Sequence, residues 1–120
     1  MKKLLFALFA VALFVYSPST VNALDNLPLI AKTKVVEGKT IQLNLANLQK
    51  VYTRVEVTNF DQSTLYFEDN IRKHNGYINR INLEQLRDGI YHLTVRNNKK
   101  TYKQVVKIRD GKIYLSQFTK

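Results

Sequence analysis

An all-β sandwich is the fold this sequence predicts, on three observations. Short segments alternate apolar and polar residues with period 2, the pattern of half-buried strands. Turn chemistry punctuates the chain between them, at Gly38-Lys39, Asp61-Gln62-Ser63, Asn97-Asn98 and Asp110-Gly111. Finally, Leu86-Arg87-Asp88-Gly89-Ile90-Tyr91 sets a Tyr just inside a strand after an Asp-Gly turn. That is the layout of a tyrosine corner, in which the ring packs inward and the hydroxyl bonds back to upstream backbone between the two sheets of an immunoglobulin-like sandwich. The expected fold is an immunoglobulin-like β-sandwich of about seven or eight antiparallel strands, preceded by a signal peptide.

The N-terminus justifies that last element. Met1-Lys2-Lys3 leads into 13 apolar residues, 4–16, and small and polar residues follow to Val21-Asn22-Ala23. A basic start, a short apolar run and small residues at −3 and −1 describe a secretory signal, cut after Ala23. The run is well short of the ~20 residues of a spanning helix, so no stable membrane span is expected after cleavage. With residues 1–23 as signal peptide, residues 24–120 form a single domain. It has no cysteine, so an exported domain of this size must be held by packing alone. The formal charge of +10 falls to +8 once Lys2 and Lys3 are removed, which favours acidic partners.

Each strand follows from its pattern. Residues 32–37 alternate weakly and carry outward Lys, as edge strands do. Ile41, Leu43 and Leu45 alternate with Gln42 and Asn44 in a second strand, and 47–50 is a loop or one helical turn. A third strand, 51–59, points Val51, Val55 and Val57 inward and Tyr52, Arg54, Glu56 and Thr58 outward. Leu65 and Phe67 mark the inward face of a fourth, followed by a polar loop over 70–76. The fifth, 77–83, turns Ile81 and Leu83 inward. Two strands then form a hairpin, with Tyr91, Leu93 and Val95 facing the same way as Tyr102, Gln104, Val106 and Ile108. A two-residue turn at Asn97-Asn98 pairs Leu93 with Tyr102, because Asn tolerates the positive φ such turns need. Residues 112–118 make an eighth strand.

Catalytic chemistry finds little support. The domain has two histidines, His74 in a loop and His92 on an outward face, with Ser63 and Ser116 as its serines. No nucleophile–base–orienter set can be assembled from them, and no metal-ligand spacing or cofactor motif occurs. The expectation is a non-enzyme without a cofactor. One constellation remains, on the outward side of the third, sixth and seventh strands. Alternation gathers Tyr52, Arg54, His92, Arg96, Lys103 and Lys107 there, with Lys99 and Lys100 at the hairpin tip. Strands ~4.8 Å apart and alternate residues ~7 Å apart would merge these charges into a face for anionic ligands. Asp88, Gly89 and Tyr91 are the structural corner. An envelope protein or an anionic glycan is the expected partner, and export disfavours nucleic acid.

The run VEVTNFDQSTLYFED, followed by INLEQLRDGIYHLTVRNNKKTYKQVVKI, resembles the C-terminal sorting domain of the Bacteroidota type IX secretion system. The shared signs are a strand ending in Asn, a second strand soon after, an L-x-x-G-x-Y entry and a closing basic strand. The same residues, about 54–108, equally resemble small exported immunoglobulin-like proteins of those bacteria. Three departures stand out: no cargo domain fits ahead of the first strand, the chain runs on past the basic strand, and Gln62 stands where the family usually has Gly. The resemblance therefore implies a free-standing relative of the sorting domain. The favoured function is an exported, non-enzymatic binding or interaction module in the periplasm, at the cell surface or outside the cell. The alternative is a structural or secretion-related relative of the type IX sorting domain, with no ligand of its own.

Overall fold

In the computed structural model, residues 28–120 are described; the expected signal peptide and its cleavage point lie outside them. Eight strands follow in chain order: β1 Ile30–Glu37, β2 Thr40–Ala46, β3 Thr53–Asn59, β4 Leu65–Ile71, β5 Tyr77–Asn82, β6 Gly89–Asn97, β7 Lys100–Arg109 and β8 Lys112–Leu115. All pair antiparallel, in a three-stranded sheet ordered β1-β2-β5 and a five-stranded sheet ordered β4-β3-β6-β7-β8. The sandwich predicted from alternation is the observed architecture.

The two apolar faces meet as period 2 requires. Ile41, Leu43 and Ile81 from the small sheet and Val55, Val57, Leu93, Val95, Val106 and Ile108 from the large one are at most 1 % exposed. Each such side chain contributes about 1.5–3 kcal/mol of burial. Polar residues join them, Thr53 and Gln104. Gln104 is buried on β7, exchanges hydrogen bonds with Thr33 of β1 across the sandwich (2.7 and 3.0 Å), and donates to the Ser116 carbonyl at 2.6 Å. Its amide is thereby satisfied, as a buried polar group must be.

Several boundaries differ from those the pattern suggests. The β6–β7 turn is Asn98-Lys99, with Leu93 opposite Gln104 and Val95 opposite Tyr102. The register is thus displaced by two residues, a shift that keeps every side chain on its face. Asn98 supplies the positive φ, at 60°. The third strand opens at Thr53, which takes the inward place expected of Val51. On β4, an irregularity in the pairing beside Val57/Thr58 sets Leu65 opposite Thr58, and Leu65 is left exposed rather than inward. That strand continues to a buried Ile71, shortening the polar loop. At the C-terminus, β8 stops at Leu115, and the chain stays bonded to β7 through Ser116, which meets Gln104 and Val105, and through the Lys103–Thr119 bridge.

Among the described residues, five of the connections carry left-handed residues other than glycine, the β3–β4 turn among them. Gln62, at the β3–β4 turn, has φ 65° and donates its N–H to the Asn59 carbonyl at 3.0 Å. Next to it, Asp61 accepts from both the hydroxyl and the N–H of Ser63, which holds its carboxyl below the ordinary value. Left-handed backbone costs a side-chain-bearing residue about 1–2 kcal/mol, and glycine escapes this at some cost in unfolded-state entropy. Gln62→Gly is expected to stabilise the domain by about 0.5–1 kcal/mol, read as a higher urea midpoint at unchanged m-value. A lower midpoint would mean that the Gln62 side chain holds contacts worth more than the strain.

Candidate functional site

The outward face of the five-stranded sheet is built by β3, β6 and β7, which turn every second residue away from the core, Glu56, Thr58 and Thr94 among them being buried by their neighbours. Register sets Arg54 opposite Arg96, and Glu56 opposite both Thr94 on β6 and Glu68 on β4. Each row alone would juxtapose like charges. Pairing between rows resolves this: Arg54 Nε meets Glu56 at 2.8 Å, Arg54 Nη2 meets Glu68 at 3.1 Å, and Arg96 Nη2 meets the other Glu56 oxygen at 3.5 Å. Glu56 is only 8 % exposed, so its charge is tied into this chain rather than left to water. The arginines thus spend much of their charge on neighbouring carboxylates. These partly buried pairs lower the potential of the face.

The remaining residues of that face divide between its two ends. Tyr52, just before β3, donates its hydroxyl to Asn70 and lies beneath the Arg72 guanidinium, 4.6 Å from the ring centre. With Val51, Arg54, Arg96 and Asn98 it lines a cleft of about 370 Å³. Lys99 and Lys100 sit at the hairpin tip beside it. Lys103 lies opposite Thr94 in the middle, where its backbone bonds Thr119. Toward the far end, His92 stacks on Phe60 with ring centres 4.9 Å apart. Lys107 lies between Ile90 and Tyr114, both half-exposed, about 13 Å along the strand from Lys103. Tyr52, Arg54 and Arg96 therefore share one cleft, and Lys107 stands apart among apolar neighbours. Glu56 and Glu68 are the members the charge pattern conceals. The signal for Glu56 was its place two residues from Arg54 on the same face.

At the corner, the chain leaves β5 in one sheet and enters β6 in the other. Tyr91 donates its hydroxyl to the Arg87 carbonyl at 2.6 Å, and Tyr66 meets its ring edge-on at 5.6 Å. Burial, then the neighbouring Tyr66, pushes the Tyr91 phenol above its ordinary value. Gly89 lies against the ring, and Asp88 accepts the Asp110 N–H at 3.1 Å, linking the corner to the β7–β8 turn. A second tyrosine spans the sandwich's open side. Tyr77 of β5 donates to Asp69 of β4 at 2.6 Å, and burial, with Asp69 beside it, holds its phenol protonated far above the usual range.

β2 and β5 share one sheet and β3, β6 and β7 the other, as strands B, E and C, F, G do in immunoglobulin-like domains. The fold defines a small two-sheet β-sandwich module. The chain belongs to the secretion system C-terminal sorting domain family, whose model matches residues 36–109. The match runs from the end of β1 to the end of β7 and so takes in both sheets, well beyond residues 54–108. No curated protein matches the chain. Membership implies export by the type IX secretion system, toward the outer membrane and cell surface.

Proposed function

We propose that this chain is a secretion-related recognition module of type IX export, acting without catalysis or a small-molecule ligand of its own. The observation that carries this reading is the family match over residues 36–109, which takes in strands of both sheets rather than a single motif. The large-sheet face adds to it. With Arg54 and Arg96 ion-paired to Glu56 and Glu68, that face offers an anionic ligand less charge than a count of its cations suggests. β8 and the Lys103–Thr119 bridge also cover the edge that β7 would otherwise leave open to stray pairing.

The test follows the full chain, epitope-tagged, in a type IX-competent bacterium and in its secretion-defective sister strain. The expected result is surface or medium localisation in the first and periplasmic retention in the second. Equal amounts outside both strains would sink the reading.

A further inference from the structure

A second group of cations without carboxylate partners lies on the other sheet. Outward on β1 are Lys32 and Lys34, opposite Asn44 and Gln42 of β2; on β5, Arg80 lies opposite Gln42 and Ile78 opposite Asn44. All three cations are exposed, and among the described residues none pairs with a carboxylate. The acid of the same face, Glu37, stands one row further on at the β1–β2 turn. Strand spacings of ~4.8 Å and alternate-residue spacings of ~7 Å put the cations within one screening length, so a polymer would meet them as a single field.

The amides between them are ordered. Arg80 Nε donates to the Gln42 oxygen at 3.4 Å, and the Gln42 amide nitrogen donates to the Asn44 oxygen at 3.2 Å. This chain lays the guanidinium along the sheet. It leaves the Arg80 terminal nitrogens and the Asn44 amide nitrogen with donors to spare among the described residues. The arginines of the large sheet differ, since Arg54 and Arg96 are held by carboxylates while the unpaired cations of that face, among the described residues, are the lysines Lys99, Lys100, Lys103 and Lys107.

We propose that the outward face of the three-stranded sheet binds an acidic polysaccharide, with Lys32, Lys34 and Arg80 holding its charges and Gln42 and Asn44 its hydroxyls. Charge complementarity selects an anion, and the flat row of amide donors and acceptors suits a chain of hydroxyls. The outward residues of this face include no aromatic ring, which single-stranded nucleic acid uses for stacking. Ile30 and Ile78 are the exposed large apolar side chains here, too few for insertion into a lipid surface. The inference stands independently of the sorting role.

The experiment titrates the full chain with fluorescent dextran sulfate, with neutral dextran as the blank, at low and at physiological salt. Binding that weakens steeply with salt is expected. The triple variant K32Q/K34Q/R80Q should lose at least about tenfold in affinity and show a shallower salt slope. The pair K103Q/K107Q should lose less than about threefold. Gln42→Ala, which removes no charge, should weaken binding while leaving the slope unchanged. Thermal melts establish that the variants are folded, and K32Q/K34Q, which spares the Arg80–Gln42–Asn44 chain, serves if the triple variant is not. Equal losses from the two faces, or no salt-dependent binding, would overturn the proposal. So would single-stranded DNA or anionic vesicles bound as tightly through the same residues.

Discussion

Leu48→Ala is expected to destabilise the domain by about 3–5 kcal/mol, among the largest losses available to a single truncation here. Leu48 belongs to no strand, yet it is fully buried. It plugs one end of the sandwich from the β2–β3 connection. Its N–H donates to the Asn75 carbonyl at 2.9 Å, while its own carbonyl accepts from Val51 at 3.1 Å and from the Asn97 amide at 3.2 Å. Around it, Asn47, Gln49 and Lys50 all take left-handed φ, between 57° and 64°. Such conformations cost about 1–2 kcal/mol each for residues bearing a Cβ, so the loop holds its shape because a buried anchor over-determines it. Removing the side chain opens a cavity and also releases the anchor, which places the loss toward the upper end for Leu→Ala. Urea melts of the variant and of Ile78→Ala check this, because Ile78 is 70 % exposed and should change stability by less than about 0.5 kcal/mol. A Leu48→Ala loss below about 1 kcal/mol would show that the loop stands without its plug.

The second large effect lies at the corner. Tyr91→Phe removes a single oxygen and should destabilise by about 1–2 kcal/mol, because the Arg87 carbonyl loses its donor. Tyr91→Ala should lose about 3–5 kcal/mol, adding the deleted ring to the lost bond. The spread between the two variants separates packing from hydrogen bonding. If Tyr91→Phe matches the parent within about 0.3 kcal/mol while Tyr91→Ala is costly, the ring only packs and the corner does not depend on the bond. A double-mutant cycle with Asp88→Ala asks a further question. Coupling above about 0.5 kcal/mol would show that the Asp88–Asp110 link and the Tyr91–Arg87 bond brace one unit.

Alternation by itself determined which side faces the core on β2, β3, β6 and β7, while on β4 the irregular pairing left Leu65 exposed against its pattern. Period 2 is strict, and Ile41, Leu43, Leu45, Val55, Val57, Ile81, Leu93, Val95, Val106 and Ile108 are buried as their pattern requires. The turn dipeptides and the Asp-Gly-x-Tyr entry likewise placed the sheet crossing before β6. Register was legible only modulo two residues. Pairing Leu93 with Tyr102 or with Gln104 buries the same side chains, and the choice fell to the geometry of the Asn98-Lys99 turn.

Tertiary structure decided the rest, for reasons no local pattern holds. Leu48 reads as a loop residue because the apolar core that buries its side chain, and the Asn75 and Asn97 groups that bond its backbone, are distant in the chain and come together only when the sandwich closes. Gln104 reads as an interruption of an apolar face, since its partner Thr33 lies 71 residues away. The charge of each face was decided in the same way. Counting cations favoured the large sheet, but whether Arg54 and Arg96 are free depends on which strands adjoin β3. β4 and β6 bring Glu68 and Arg96 to the Arg54–Glu56 pair, whereas β1 and β5 bring only Lys32, Lys34 and Arg80 beside the amides of β2. Strand composition is written in the sequence, but strand adjacency is settled by packing, and adjacency decides whether a charge is spent inside the molecule or presented outside it.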